Sequence, residues 1–131
     1  ALYGYDGLCK NIHGHSYRLW VTIKGNVLEE NNQTKNGMVI DFGELKKIVN
    51  DCIVDKYDHA FVLNKNTPHF NIDFSAFEKV YFLPYQPTSE NLVADFAETI
   101  MKKIPKNITL HKVILSETAT SFAEWNSDDY R

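Results

Sequence analysis

The chain has 131 residues, 44% of them apolar, and a formal net charge of −3. That length suits one domain with a real core, that apolar share excludes a disordered chain, and the acidic balance excludes a general attraction to nucleic acid or anionic membranes. No apolar run reaches membrane-spanning length or reads as a signal peptide, and Cys9 and Cys52 alone make no disulfide framework, so a reducing cytoplasm is the default compartment.

The chain opens on turn-forming residues, Ala1 to Gly7, without an initiator Met, and the expectation is that a first strand precedes them. Leu8 to Tyr17, LCKNIHGHSY, then brings a thiol at Cys9 close to imidazoles at His13 and His15. Tyr17, Leu19, Val21 and Ile23 alternate with mostly polar residues, which predicts a half-buried strand over Tyr17–Lys24. Residues two apart on an extended chain share a face, so His13 and His15 aim at one point across Gly14. Two converging neutral imidazoles are half of a tetrahedral zinc shell. The plainer reading is an H-x-H pair unrelated to metal and a Cys9 that is a small buried hydrophobe; company elsewhere in the chain decides between them.

Glu29 to Gly37 is polar and ends in the turn signal Asn36-Gly37, so Met38–Ile40 is expected to return as a short strand in a hairpin with Tyr17–Lys24. Asp41 with Glu44 resembles a capping box, and Phe42, Leu45, Ile48, Val49, Cys52 and Ile53 recur at helical spacing, predicting a helix from Phe42 to about Val54 with Cys52 as core filler. Asp58-His59 follows in a polar interval; a carboxylate beside an imidazole can set its tautomer, or the pair can be an inconsequential surface feature. Lys65 to Pro84 reads as irregular with a short strand at Lys79–Leu83. Thr88 or Ser89 then caps a second helix whose buried stripe is Leu92, Val93, Phe96, Ala97, Ile100, Met101 and Ile104, stopped by Pro105. The strand Thr109–Glu117 puts His111, Val113, Leu115 and Glu117 on one face, and a turn over Thr118–Ser121 leads to a last strand at Phe122–Trp125. A carboxylate such as Glu117 ending an apolar face is either exposed at a rim or reserved for a cationic or multi-donor partner. The order strand, strand, helix, helix, strand, strand predicts an α+β domain with two helices on one face of an antiparallel sheet.

Taken jointly, Cys-x-x-x-His-Gly-His at Cys9–His15, Asp58-His59, Pro87-Thr88-Ser89-Glu90-Asn91 and Glu117-Thr118 resemble the 6-pyruvoyltetrahydropterin synthase / 6-carboxytetrahydropterin synthase family over essentially the whole chain. The resemblance implies the tunnelling fold, a ββααββ unit that oligomerises into a barrel, usually a homohexamer built as a dimer of trimers with active sites shared between subunits. It implies zinc and a pterin substrate, 7,8-dihydroneopterin triphosphate. His13 and His15 match the zinc ligands, with a third histidine expected on a strand upstream of Ala1; His69 and His111 do not stand at matching positions. Cys9 matches the catalytic thiol, Asp58 and His59 the proton-relay pair, Glu117 the carboxylate that anchors the pterin ring, and Thr88, Ser89 and Glu90 a segment lining the pterin pocket.

Cys9 speaks against the branch that carries Glu in its place. The ending Glu117-Thr118-Ala119-Thr120-Ser121 followed by Ala123-Glu124-Trp125 resembles the bacterial carboxy branch of queuosine biosynthesis, a lyase releasing acetaldehyde and triphosphate. The alternatives are the pyruvoyl enzyme, which eliminates triphosphate and rearranges, and a zinc-stabilised binding or scaffold protein without turnover. A zinc closed by four protein ligands marks a structural site, and an open position marks a catalytic one.

Overall fold

A computed structural model describes residues 1–8, 11–29, 35–66 and 73–130. Strand β1 (Arg18–Gly25) is followed by helix α1 (Phe42–Val49), which runs on through a π-helical turn (Asn50–Val54) into α2 (Asp55–Tyr57). Short strands β2 (Phe61–Asn64) and β3 (Val80–Leu83), helix α3 (Ser89–Met101), β4 (Ile108–Ser116) and β5 (Phe122–Asn126) complete the order, with a terminal 3-10 turn at Ser127–Tyr130.

β4 is the centre of an antiparallel sheet of order β1-β4-β5. Its alternating apolar residues offer a buried face to both neighbours, so Leu19 pairs with Leu115 and Val21 with Val113 on one side, and Val113 with Trp125 and Leu115 with Ala123 on the other. The register slips between Thr22 and Ile23, leaving His111 as an extra residue in β4. Such a bulge shifts the side-chain parity, so Ile108 and Leu110 reach the core together with Val113 and Leu115. The face expected for His111, Val113 and Leu115 therefore holds only beyond the bulge.

Helix α3 lies across this sheet. Leu92, Val93, Phe96, Ala97 and Ile100 repeat at helical spacing and are all buried, packed with Ile53 and Leu83 against Leu110, Val113, Leu115 and Trp125. Thr88 is its N-cap, its hydroxyl accepting from Asn91 N at 3.2 Å. The helix ends at Met101, before Pro105, and Met101 is exposed rather than on the buried stripe.

Four expectations need correction. Met38–Ile40 forms no strand with β1, whose partner is β4. The Asn36-Gly37 turn itself exists, with Gly37 at φ 81, and Leu28 bonds across it, donating to Met38 O at 2.8 Å and accepting from Gly37 N at 3.1 Å. The first helix does not stop at Val54: nothing between Val54 and Tyr57 breaks a helix, and it continues until Asp58 turns extended. Its first residue, Phe42, is 85% exposed and so lies off the buried stripe. Asp41 caps through Gly43 N at 2.7 Å, while Glu44 is drawn instead to Lys35 at 2.9 Å, so no capping box closes. Phe61–Asn64, to which the sequence assigns no element, is a strand parallel to β3; four apolar-rich residues are too short a run for periodicity to separate from a loop. The observed order is thus βαββαββ with three helical pieces, still an α+β fold with an antiparallel main sheet.

Candidate active site

A cleft of about 800 Å³ opens where the start of β1, the end of the first helical segment, the N-terminus of α3 and the β4–β5 turn meet. Its floor is apolar, formed by Leu19, Ile53, Leu92, Phe96 and Leu115. Its polar rim contains His13, His15, Asp58, His59, Thr88, Ser89, Glu90 and Glu117. Every candidate site residue picked out in the sequence lies there except Cys9, which is outside the described residues, as is His69. His111 sits at the bulge, Nδ1 3.4 Å from Ser127 Oγ, away from the cleft.

His13 and His15 precede β1 in an extended segment, and their ring centroids are 4.9 Å apart, edge to face. Tyr17 continues the row at 5.6 Å from His15, as the i, i+2, i+4 spacing requires. His13 Nδ1 lies 2.7 Å from Asn11 O. A carbonyl only accepts, so Nδ1 carries the proton and Nε2 keeps its lone pair. This is how a metal-ligating imidazole is commonly oriented. As a donor set, two close imidazoles fit zinc as half of a tetrahedral shell. Among the described residues no further His, Cys, Asp or Glu joins them to make a group of three.

Asp58 and His59 form the turn between α2 and β2. Asp58 N still bonds to Val54 O at 2.8 Å, and Ala60 N closes on Tyr57 O at 3.1 Å. His59 adopts φ 58, left-handed for a residue with a Cβ. Its Nδ1 is 2.8 Å from Asp58 Oδ1. The carboxylate accepts a hydrogen bond from Nδ1–H, and in the neutral ring Nε2 is then the acceptor end.

Glu117 stands one residue beyond β4, half-buried, in a turn closed by Glu117 N to Ser121 O at 3.0 Å and by Ser116 Oγ to Thr118 O. Ser89, the first residue of α3 and only 7% exposed, donates its hydroxyl to Glu117 Oε1 at 2.5 Å. The cap that starts α3 thus also orients the carboxylate, and among the described residues Oε2 is left for another donor.

A family model described as 6-pyruvoyl tetrahydropterin synthase matches residues 1–128. The chain belongs to the 6-pyruvoyl tetrahydropterin synthase family. Among its relatives, the 6-carboxy-5,6,7,8-tetrahydropterin synthase of Haemophilus influenzae is 34% identical over 126 residues, covering 93% of this chain and 86% of that protein. The protein of the same name from Rickettsia felis is 30% identical over 125 residues, covering 92% of this chain and 87% of its own. The solved structure of Plasmodium falciparum 6-pyruvoyl tetrahydropterin synthase shares the fold, with a TM-score of 0.67 at 20% identity over 95% of this chain and 86% of that one.

Within this member of the family, the sequence reading missed two features that hold the cleft together. Gln86 accepts from Tyr3 N at 3.1 Å and donates to Tyr3 O at 2.6 Å, as a strand partner would. It anchors the segment whose Ala1, Leu2 and Tyr5 form one wall; a contact between residues this far apart in the chain leaves no local signal. Lys79 Nζ donates to the carbonyls of Asp55 and Asp58 beside the Asp58–His59 turn; in the sequence it is only the first residue of the expected strand Lys79–Leu83.

Proposed function

We propose that this chain is a zinc-dependent 6-carboxy-5,6,7,8-tetrahydropterin synthase, converting 7,8-dihydroneopterin triphosphate to 6-carboxytetrahydropterin with release of acetaldehyde and triphosphate, a step of queuosine biosynthesis. The observation that carries the reading is the meeting in one cleft of His13–His15, Asp58–His59 and Ser89–Glu117, three pairs from distant parts of the chain with complementary chemistry. The names of the relatives at 30–34% identity favour the carboxy product.

His13 and His15 would hold the zinc as two of its ligands. When bound, the ion supplies Lewis acidity to oxygens of the substrate side chain. The chain's own groups do the rest. Glu117 Oε2 accepts from the paired N–H donors along the pterin edge, while Ser89 keeps Oε1 in place. Thr88 and Glu90 border that pocket. Cys9 as thiolate takes and returns a proton between side-chain and ring carbons. His59, its Nδ1–H tied to Asp58, moves the second proton at Nε2. Triphosphate leaves with the electrons of its C–O bond once the adjacent carbon has been deprotonated.

The sheet leaves the edges of β1 and β5 open among the described residues and exposes the aromatic rings of Trp20 and Phe122. Open edges and exposed aromatics support assembly into a homo-oligomer, a hexamer of two trimers; a monomer mass in light scattering would refute it. Incubation with dihydroneopterin triphosphate and product identification test the reaction. 6-Carboxytetrahydropterin with equimolar acetaldehyde is expected. Pyruvoyltetrahydropterin would instead assign the pyruvoyl reaction, and no turnover by zinc-loaded protein would assign a binding role.

A further inference from the structure

The Asp58–His59 turn carries a conformation that its own residues do not favour. A left-handed conformation is disfavoured for a residue with a Cβ and persists where the surroundings enforce it. The His59 ring cannot supply that enforcement: its side chain is 91% exposed, and among the described residues it is bonded to the adjacent Asp58. Alongside the Ala60 N–Tyr57 O bond that closes the turn, Lys79 holds the chain on both sides of it. Its ammonium donates to Asp55 O at 2.6 Å and to Asp58 O at 2.9 Å, on either side of the last turn of α2. Its backbone carbonyl accepts from Phe61 N at 3.0 Å, at the first residue of β2. One residue therefore grips the chain just before and just after the turn, and a cation also suits the carbonyl end of a helix. Lys79 itself does not line the cleft.

We propose that Lys79 is a positioning residue: it holds the Asp58–His59 turn in the left-handed geometry that sets His59 at the rim of the cleft. The inference rests on the reading of His59 as a proton-transfer group. Lys79→Met keeps the aliphatic stem and removes the donors; Lys79→Arg restores donors. With zinc-loaded full-length protein and dihydroneopterin triphosphate, Lys79→Met is expected to lower kcat about 10- to 100-fold, the scale of a misplaced catalytic group, with KM within about twofold, and Lys79→Arg to recover at least half of that loss on a logarithmic scale. The imidazole resonances of His59, assigned by comparison with His59→Ala, are expected to shift in Lys79→Met and to return in Lys79→Arg. Should Lys79→Met not fold, Lys79→Ala, which likewise has no side-chain donor, takes its place with the same expectations. Wild-type kcat with unmoved His59 resonances, a loss confined to KM, or equal losses in the Met and Arg variants would overturn the proposal. Full turnover by His59→Ala would instead overturn the proton-transfer reading, and the His59 resonances alone would then decide whether Lys79 sets the turn.

Discussion

Replacing Glu117 by Gln tests pterin recognition most directly. The carboxylate has about four acceptor sites, of which Ser89 Oγ occupies one on Oε1 at 2.5 Å. In Glu117→Gln the new side-chain amide would have to share an oxygen and an NH2 between Ser89 and the ligand. If the oxygen stays toward Ser89, the NH2 meets the pterin N–H groups, and both ligand donors are left unpaired. If the amide flips, the Ser89 hydroxyl can rotate and accept, because it has lone pairs as well as a proton; the oxygen then serves the ligand, but as a neutral acceptor for what were two charge-assisted bonds. Either arrangement costs about 2–4 kcal/mol on the scale of lost or unpaired bonds to a charged group, or roughly 30- to 800-fold in affinity. Ser89→Ala should do less. It removes one bond from the free and bound protein alike, and weakens binding only by freeing the Glu117 side chain, about 1 kcal/mol of ordering entropy. The two changes share an oxygen, so they should not add: once Glu117→Gln has removed the charge, removing the Ser89 hydroxyl should cost a different amount than it does alone. Calorimetry with biopterin on the two single variants and the double variant measures this, with zinc content expected to be unchanged because Glu117 is no ligand. Wild-type affinity in Glu117→Gln, or strict additivity with Ser89→Ala, would mean that the ring is held elsewhere.

His13→Ala and His15→Ala should each reduce bound zinc below half of the wild-type stoichiometry by atomic absorption while leaving the fold intact; full zinc in either variant would remove that residue from the shell. Cys9→Ala should keep zinc and biopterin affinity and lose on the order of 100-fold or more in kcat, since it is assigned a proton and not a metal; loss of zinc would make it a ligand instead. The Tyr85 phenol is held well above the usual tyrosine range, first by burial and then by its hydrogen bond to Asp95. A raised folded-state value favours the neutral phenol in the native protein, so this stabilisation is complete below the unfolded-state value near about pH 10 and is lost as pH rises beyond it. Tyr85→Phe should therefore cost about 1–3 kcal/mol at neutral pH by urea titration and flatten the fall in stability above about pH 10; an unchanged midpoint at neutral pH would refute the role of this bond.

The sequence by itself carried the parts of this protein that depend on local chemistry. The helical stripe Leu92 to Ile100, its Thr88 cap and the alternation of β1 and β5 are read from neighbours a few residues apart, and they reappear in the structure with only their ends moved. The same holds within each candidate pair: two-residue spacing brings His13 to His15, and adjacency brings Asp58 to His59. Tertiary structure decided which strand β1 chooses, because β4 offers it eight paired residues and Met38–Ile40 cannot. It also decided the parity of β4, through a bulge at His111 that no pattern announces. It joined Ser89 to Glu117, Gln86 to Tyr3 and Lys79 to Asp58. Those bonds link side chains to groups 21 or more positions away, and only packing of α3 and β3 against the remaining elements can bring such distant groups within hydrogen-bonding distance.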